Sequence, residues 1–333
     1  MSQAWVNVQR AFLLLLSLSV TQSAFAGGQA TALDGLQFLS RARLAAQRLD
    51  YAGTFIYQQG PQVWTSRIVH LREGDISKEK LEILDGPPRE TIRNGEEIIS
   101  YLPAERRLIV ESRISEKAFP ALPGVSPEQI AQYYRVRKIA GDRVAGRDTE
   151  AIALVPIDAM RYGYRLWLEK SSGLLMRAQT LNEKGQVIEQ IAFTTLAIGN
   201  ITRAQIRPAY PDTRGWRIEN AVAKPLDLSH WTAKWMPGGF RQIHSVKRHM
   251  GEPIAGRPGS QKEVEQLVYS DGLAGISIFI EPWSAQQSGL PIQQGALNMV
   301  GKRHKEFWLT IVGEVPMAAI LQVADSIELT AIK

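Results

Sequence analysis

The side chains able to do bond chemistry are few and scattered in this sequence. There are five histidines, His70, His230, His244, His249 and His304, and no cysteine. Only His244 and His249 are near neighbours. Their separation of five puts them on poorly matched faces of a helix and on opposite faces of a strand. Neither fits a His-Glu-x-x-His pattern, so no metal site and no cofactor is expected. The absence of cysteine removes disulfides, thiol nucleophiles, thiolate ligands and a lipid anchor on a processed cysteine. No Gly-x-Ser-x-Gly elbow and no Gly-Lys-Ser/Thr phosphate loop occurs. Glu82, Asp85 and Glu90 are close enough to raise paired-carboxylate chemistry. They flank the turn Asp85-Gly86-Pro87-Pro88, however, and are expected to pair with Lys80, Arg89 and Arg93 across strands. The expectation is a protein with no catalytic residues that acts by binding.

Two sets of residues could do that binding. In the first half, Phe55, Tyr57, Trp64, Tyr164, Leu166 and Phe193 are candidates for an apolar, lipid-binding surface. On the stretch 162–170 one face reads Tyr162, Tyr164, Leu166, Leu168, and the other reads Arg161, Gly163, Arg165, Trp167, Glu169. Such alternation predicts one buried and one largely wet face. A groove and a filled core both satisfy it. In the second half, Trp231 and Phe240 flank Pro237-Gly238-Gly239. Two basic clusters follow, Lys247-Arg248-His249 and Lys302-Arg303-His304-Lys305. Trp231, Phe240, Lys247, Arg248, Lys302 and Arg303 are the candidates for partner contact. A basic cluster serves equally well as recognition of carboxylate or phosphate and as protection of a strand edge.

The elements that must position these residues are legible. Leu36, Leu39, Ala42, Ala46 and Leu49 recur at helical spacing with Arg41, Arg43, Gln47 and Arg48 between them, which predicts an amphipathic helix. From Tyr51 to about Gly199 the sequence reads as consecutive strands joined by turns such as Gly60-Pro61, Gly74-Asp75, Asn94-Gly95, Ser172-Gly173 and Lys184-Gly185. A short helix is predicted after Ser126-Pro127-Glu128-Gln129, an N-cap, a first-turn proline and a capping-box partner. Hairpin connections imply an antiparallel sheet with helices on one face. Pro208, Pro211 and Gly215 mark a linker at 206–216. Beyond it, 264–269 and 275–281 bracket the turn Ser270-Asp271-Gly272, 295–302 and 306–312 form a second strand pair, and Pro316 opens a closing helix.

The N-terminus sets the expected compartment. Arg10 precedes the Leu-rich run 11–20, and Ala24-Phe25-Ala26 supplies small residues where a signal peptidase reads, so residues 1–26 are predicted to be a removable secretory signal. The run is much shorter than the roughly 20 residues that span a bilayer. Removing Arg10 lowers the formal net charge from +6 to +5. This mild balance suits anionic surfaces or acidic partners. Nucleic acid is not expected as a partner of an exported chain with dispersed basic residues. The resulting domain scheme is signal 1–26, a β-rich domain 27–205, a linker 206–216, and a C-terminal α+β domain 217–333.

Several segments carry a family likeness. They are Tyr51-Ala52-Gly53-Thr54-Phe55, the run 81–90 (LEILDGPPRE), Tyr164-Arg165-Leu166-Trp167-Leu168-Glu169 with Ser172-Gly173-Leu174, Pro237-Gly238-Gly239-Phe240, the run 270–281 (SDGLAGISIFIE), and Val312-Gly313-Glu314-Val315-Pro316. In this order they resemble the periplasmic sigma-E regulatory family of RseB and MucB. The resemblance implies an α+β fold: an antiparallel half-barrel sheet wrapped over helices, lipoprotein-carrier-like, followed by a smaller α+β C-terminal domain. It also implies a periplasmic negative regulator that binds the periplasmic domain of a membrane-bound anti-sigma factor, shields it from proteolysis, and is released by a lipid signal such as lipopolysaccharide. The alternative is a periplasmic lipid or lipoprotein carrier. Homo-oligomer formation is left open.

Overall fold

The computed structural model describes residues 26–112, 127–220, 224–228, 230–250, 262–285, 287 and 289–329. The expected signal peptide (apart from Ala26) and the expected N-cap Ser126 lie outside them.

Helix α1 (Ala26–Arg48) leads into a meander of β1 (Tyr51–Gln59), β2 (Gln62–Glu73), β3 (Ile76–Ile83), β4 (Arg89–Asn94), β5 (Glu97–Leu102) and β6 (Arg107–Ser112). After α2 (Pro127–Tyr133) come β7 (Tyr134–Ile139), β8 (Arg143–Val144), β9 (Arg147–Pro156), β10 (Gly163–Glu169), β11 (Leu175–Leu181) and β12 (Val187–Ile198). The last strand returns along β1, from Tyr51 opposite Ile198 to Gln59 opposite Glu189. One pairing therefore stitches the two halves into a 13-stranded sheet with β7 at one end. The strand boundaries follow the alternation and the turn residues; Gly95, with φ +62°, supplies the left-handed turn position between β4 and β5.

Both faces of this sheet are covered near its middle. On the inner face α1 buries Phe38, Leu39 and Ala42 against Tyr134, Ile152, Leu154, Leu166 and Leu168. One turn further along, Ala45 and Ala46 meet Tyr51, Phe55, Ile68, Met176 and Phe193. The small residues of α1 let it lie close, so aromatic side chains of the sheet fill the space a groove would need. On the outer face, Val69 and Leu71 pack with Ile206. The Lys80 ammonium donates to the Arg207 carbonyl at 2.9 Å, and the Ala209 amide donates to both Glu90 oxygens at 3.1 Å. The first half of the expected linker is thus a strap tied across β2 to β4. Its continuation β13 (Arg217–Asn220) adds in parallel to β6 of the same sheet.

A second, seven-stranded sheet follows. It comprises β14 (Lys224–Pro225), β16 (Arg241–Met250), β17 (Lys262–Ser270), β18 (Gly275–Pro282), β19 (Ile292–Gln294), β20 (Leu297–His304) and β21 (Phe307–Gly313). Alongside it, β15 (Trp231–Ala233) pairs with β22 (Ile327–Leu329). Helix α3 (Met317–Ser326) starts after Pro316, as the sequence predicts, and buries Ala319, Ile320, Val323 and Ala324 against Ile276, Ile278, Leu309 and Ile311. The whole is α+β: a large antiparallel sheet wrapped over helices, with a smaller sheet-and-helix unit behind it.

The expected wet face of β10 is not wet. Trp167 and Glu169 are buried, and Arg161, which precedes the strand, is only 2% exposed. The physical reason is that each found a partner. The Arg177 guanidinium covers the Trp167 ring at 3.9 Å, Ser171 and the Ser172 amide bind the Glu169 carboxylate at 2.7–2.8 Å, and the second unit closes over Arg161.

Candidate functional site

That closure builds the most elaborate polar constellation among the described residues. Arg161 sits in the loop between β9 and β10, and its side chain is wholly enclosed. Nε donates to Asp158 at 3.1 and 3.2 Å, Nη1 to Asp271 at 3.2 Å, and Nη2 to the Gly238 carbonyl at 2.7 Å. The guanidinium also lies over the rings of Tyr133, at 4.7 Å, and Tyr134, at 5.6 Å. Burial alone would lower the Arg161 pKa. Hydrogen bonding to Asp158 and the negative charges of Asp158 and Asp271 reverse that, and the net shift is upward, so the cation is fixed. A buried cation needs this completeness, because an unpaired one costs several kcal/mol.

The geometry around Arg161 follows from the turns. Asp271 spends its other oxygen on the amides of Leu273 and Ala274, at 2.9 and 2.8 Å, which holds the 270–274 turn in shape. Gly238 and Gly239 bring their backbone onto the Tyr133 ring; a Cβ at Gly239 would sit 2.4 Å from it, and φ there is +85°. Further along the same seam, Asn298 donates to the Tyr162 hydroxyl and to the Val315 carbonyl, both at 2.8 Å. Glu189 accepts from the Ala296 amide at 2.8 Å, and Gln59 donates to the Gln294 carbonyl at 3.2 Å. The two sheets therefore meet across a continuous seam of specific polar contacts.

Of the residues picked from sequence, Tyr57 touches this seam, its hydroxyl accepting from Gln59 at 3.2 Å; the others lie elsewhere. Phe55 and Phe193 are buried edge to face at 6.1 Å, Leu166 is 3% exposed, and Tyr164 packs against Tyr134. These four line the filled core under α1. Tyr57 and Trp64 are different: they stack at 5.7 Å near the end of the β1–β2 hairpin and remain partly exposed. Trp231 and Phe240 belong to the core of the second unit, with Trp231 edge-on to Phe307 at 5.2 Å. Lys247 pairs with Glu263 at 2.7 Å and Lys302 with Asp325 at 2.7 Å. The Arg303 guanidinium covers the Trp283 ring at 3.8 Å. The Arg248 side chain lies outside the described residues. The structure thus brings together Phe55, Phe193, Tyr57 and Trp64 along β1, β2 and β12, while β16 with Lys247 and β20 with Lys302 have three strands between them.

Of the carboxylates weighed from sequence, Glu82 and Glu90 share Lys80, at 2.8 and 2.9 Å, as expected. Arg93 takes Glu79 instead, at 3.0 Å, and Asp85 accepts from the Thr65 amide. Sequence reasoning missed Arg161, Asp271 and Asn298. The one signal available was the turn Ser270-Asp271-Gly272. A separate cleft of about 220 Å³ opens between α1 and β7–β9; Phe38 and Ile152 lie at its floor, and Arg41, Lys138 and Glu150 form a mixed charged rim in which Arg41 pairs with Glu150.

Comparison with known proteins decides the family. The MucB/RseB N-terminal domain model matches residues 34–210 and the MucB/RseB C-terminal domain model residues 225–328. The chain belongs to the MucB/RseB family. Among MucB/RseB relatives, the sigma factor AlgU regulatory protein MucB of Pseudomonas aeruginosa is 31% identical over 94% of both chains. The sigma-E factor regulatory protein RseB of Salmonella typhimurium is 27% identical over the full length of both. A crystal structure of MucB in complex with MucA(peri) superposes with a TM-score of 0.69 at 29% identity, covering 90% of this chain and 100% of that one. A second MucA/MucB complex, from Pseudomonas aeruginosa, gives 0.70 at 29% identity. The matched ranges include Arg161, Asp271 and Asn298.

Proposed function

We propose that this protein is a periplasmic negative regulator of an envelope stress response that binds the periplasmic domain of a membrane-bound anti-sigma factor. Bound there, it shields the factor from proteolysis, and a lipid signal such as lipopolysaccharide releases it. The observation that carries the reading is the alignment with MucB/RseB regulatory proteins over both domains, including a MucB structure solved with MucA(peri). The division into a β-rich domain, a strap-and-linker segment and a C-terminal partner-binding domain belongs to this proposal, as does export by residues 1–26. So does action by occupation of a surface, without catalysis or cofactor.

Release by lipid is a linkage argument. A lipid that prefers the partner-free state must weaken partner binding by the same factor as the partner weakens lipid binding. The partly exposed Tyr57–Trp64 pair is the apolar surface that supports such a ligand. A carrier that stows an acyl chain inside the sheet needs space that α1 and the Phe55–Phe193 core already fill, so the regulator reading is favoured.

The test is calorimetric titration of the mature protein with the periplasmic domain of the anti-sigma factor from the same organism, with and without lipopolysaccharide. Tight binding that lipopolysaccharide weakens is expected. No heat and no co-elution at micromolar concentration would remove the proposal.

A further inference from the structure

The far end of the large sheet carries a feature that neither the seam nor the lipid reading uses. Directly paired residues of neighbouring strands point to the same face. Arg137 of β7 is opposite Ala153 of β9, and Ala153 is opposite Arg165 of β10. Arg135 stands two residues before Arg137 on the same strand and is opposite Val155. Three guanidinium groups therefore rise from one outer face, spaced roughly 7 Å along β7 and 10 Å across the strands. Arg135 and Arg137 are exposed, Arg165 is half-buried, and Val155 is 36% exposed between them. Among the described residues none of the three arginines meets a carboxylate, although elsewhere the molecule pairs its arginines readily, as at Arg67–Glu82, Arg93–Glu79 and Arg177–Asp142.

Among the described residues, strand β7 is also the end of its sheet, bonded on one side, to β9. Positive charge on an edge strand commonly blocks unwanted pairing. Arg165 lies two strands inside the edge, where charge has no such use. We propose that β7 and this arginine face form a docking surface for an extended acidic segment of a protein partner, which adds as a strand beside β7 and sets alternate carboxylates against Arg135 and Arg137. The strand period of two matches acidic residues at every second position. Guanidinium forks bind carboxylates bidentately, and Arg165 extends the contact onto the sheet. The proposal deepens the protein-partner reading above and rests on it.

The experiment measures fluorescence anisotropy of a labelled synthetic peptide alternating Glu and Thr, titrated with the full mature chain. Four variants are compared: Arg135→Glu with Arg137→Glu, the milder Arg135→Gln with Arg137→Gln, Arg165→Gln, and the remote control Arg214→Glu. Wild type and control should bind alike, and the double charge reversal should weaken binding by about tenfold or more. A peptide of equal charge with proline at the Thr positions should bind poorly, because it cannot make ladder bonds. Equal binding by wild type and both double variants overturns the proposal, as does equal binding of the proline peptide. So does arginine-dependent sedimentation with phosphatidylglycerol vesicles by a chain that ignores the peptide. In parallel, the anti-sigma periplasmic domain separates the two readings. If it binds wild type and the charge-reversed chain equally, this surface is wrong and the regulator stands. If it binds neither, the regulator reading fails and the synthetic peptide alone decides the surface.

Discussion

Replacing Arg161 by Met tests the seam between the two sheets most directly. The substitution keeps an unbranched apolar stem as far as the Nε position and removes the guanidinium cation. It takes the guanidinium from the Asp271 carboxylate, whose side chain is 3% exposed, and leaves the Gly238 carbonyl without its 2.7 Å donor. Asp158 is 36% exposed and can turn to water. Removing one partner of a buried ion pair costs about 3–5 kcal/mol. The lost packing over Tyr133, roughly 0.5–2 kcal/mol for a cation over a ring, falls within that figure. If the seam couples the two units, wild type unfolds in urea as one transition and Arg161→Met unfolds in two, the first midpoint lowered. Adding Asp271→Asn should restore part of the loss. An amide tolerates burial without a cation and can still accept from Leu273 and Ala274, so the double-mutant coupling should be about 1–3 kcal/mol. Hydrogen exchange resolved by peptide would localise the effect to 158–162, 236–240 and 270–274. A variant within ~1 kcal/mol of wild type, with a single unchanged transition and unaltered exchange in those segments, would refute the coupling.

Three further predictions concern the frame around that seam. Lys80→Met leaves Glu90 buried without its cation, so stability should fall by about 3–5 kcal/mol and the Ala209 amide should lose exchange protection first. Gly239→Ala forces a methyl into the Tyr133 ring at a left-handed backbone position, and calorimetry should show destabilisation of roughly 1–3 kcal/mol. His70 should make the fold acid-sensitive. Burial depresses its pKa below 6.5, against the raising effect of its bond to the Leu49 carbonyl. The unfolded chain therefore takes up the proton first, and stability present above pH 6.5 is lost as pH falls toward the folded value. Denaturation midpoints of wild type and His70→Gln measured across that window should converge at the acid end.

The strand meander was legible because its signals are local. Apolar alternation and turns such as Gly74-Asp75, Asn94-Gly95 and Lys184-Gly185 marked the run of strands from Tyr51 to about Gly199 without reference to distant parts of the chain. The missing cysteines and the lack of a histidine cluster were equally plain. The expected linker and the expected wet face of β10 were harder to read. Ile206 and Arg207 look like linker residues, and only the approach of Val69, Leu71 and Lys80 makes them a strap. Arg161, in the row read as wet, is enclosed by Asp271, 110 residues away.

Sequence by itself determined the class of protein: two successive β-rich units, an amphipathic helix before the first and a closing helix after Pro316, and little equipment for bond chemistry. Tertiary structure decided which apolar residues are core and which polar residues are joints. Phe55, Leu166 and Phe193, candidates for a lipid surface, and Trp231 and Phe240, candidates for partner contact, are interior, because burial depends on what α1 and α3 bring against them. The reason is general: periodicity reports that a face is apolar, whereas the identity of the neighbour that covers it, or of the carboxylate that neutralises a buried arginine, is a property of the folded chain alone.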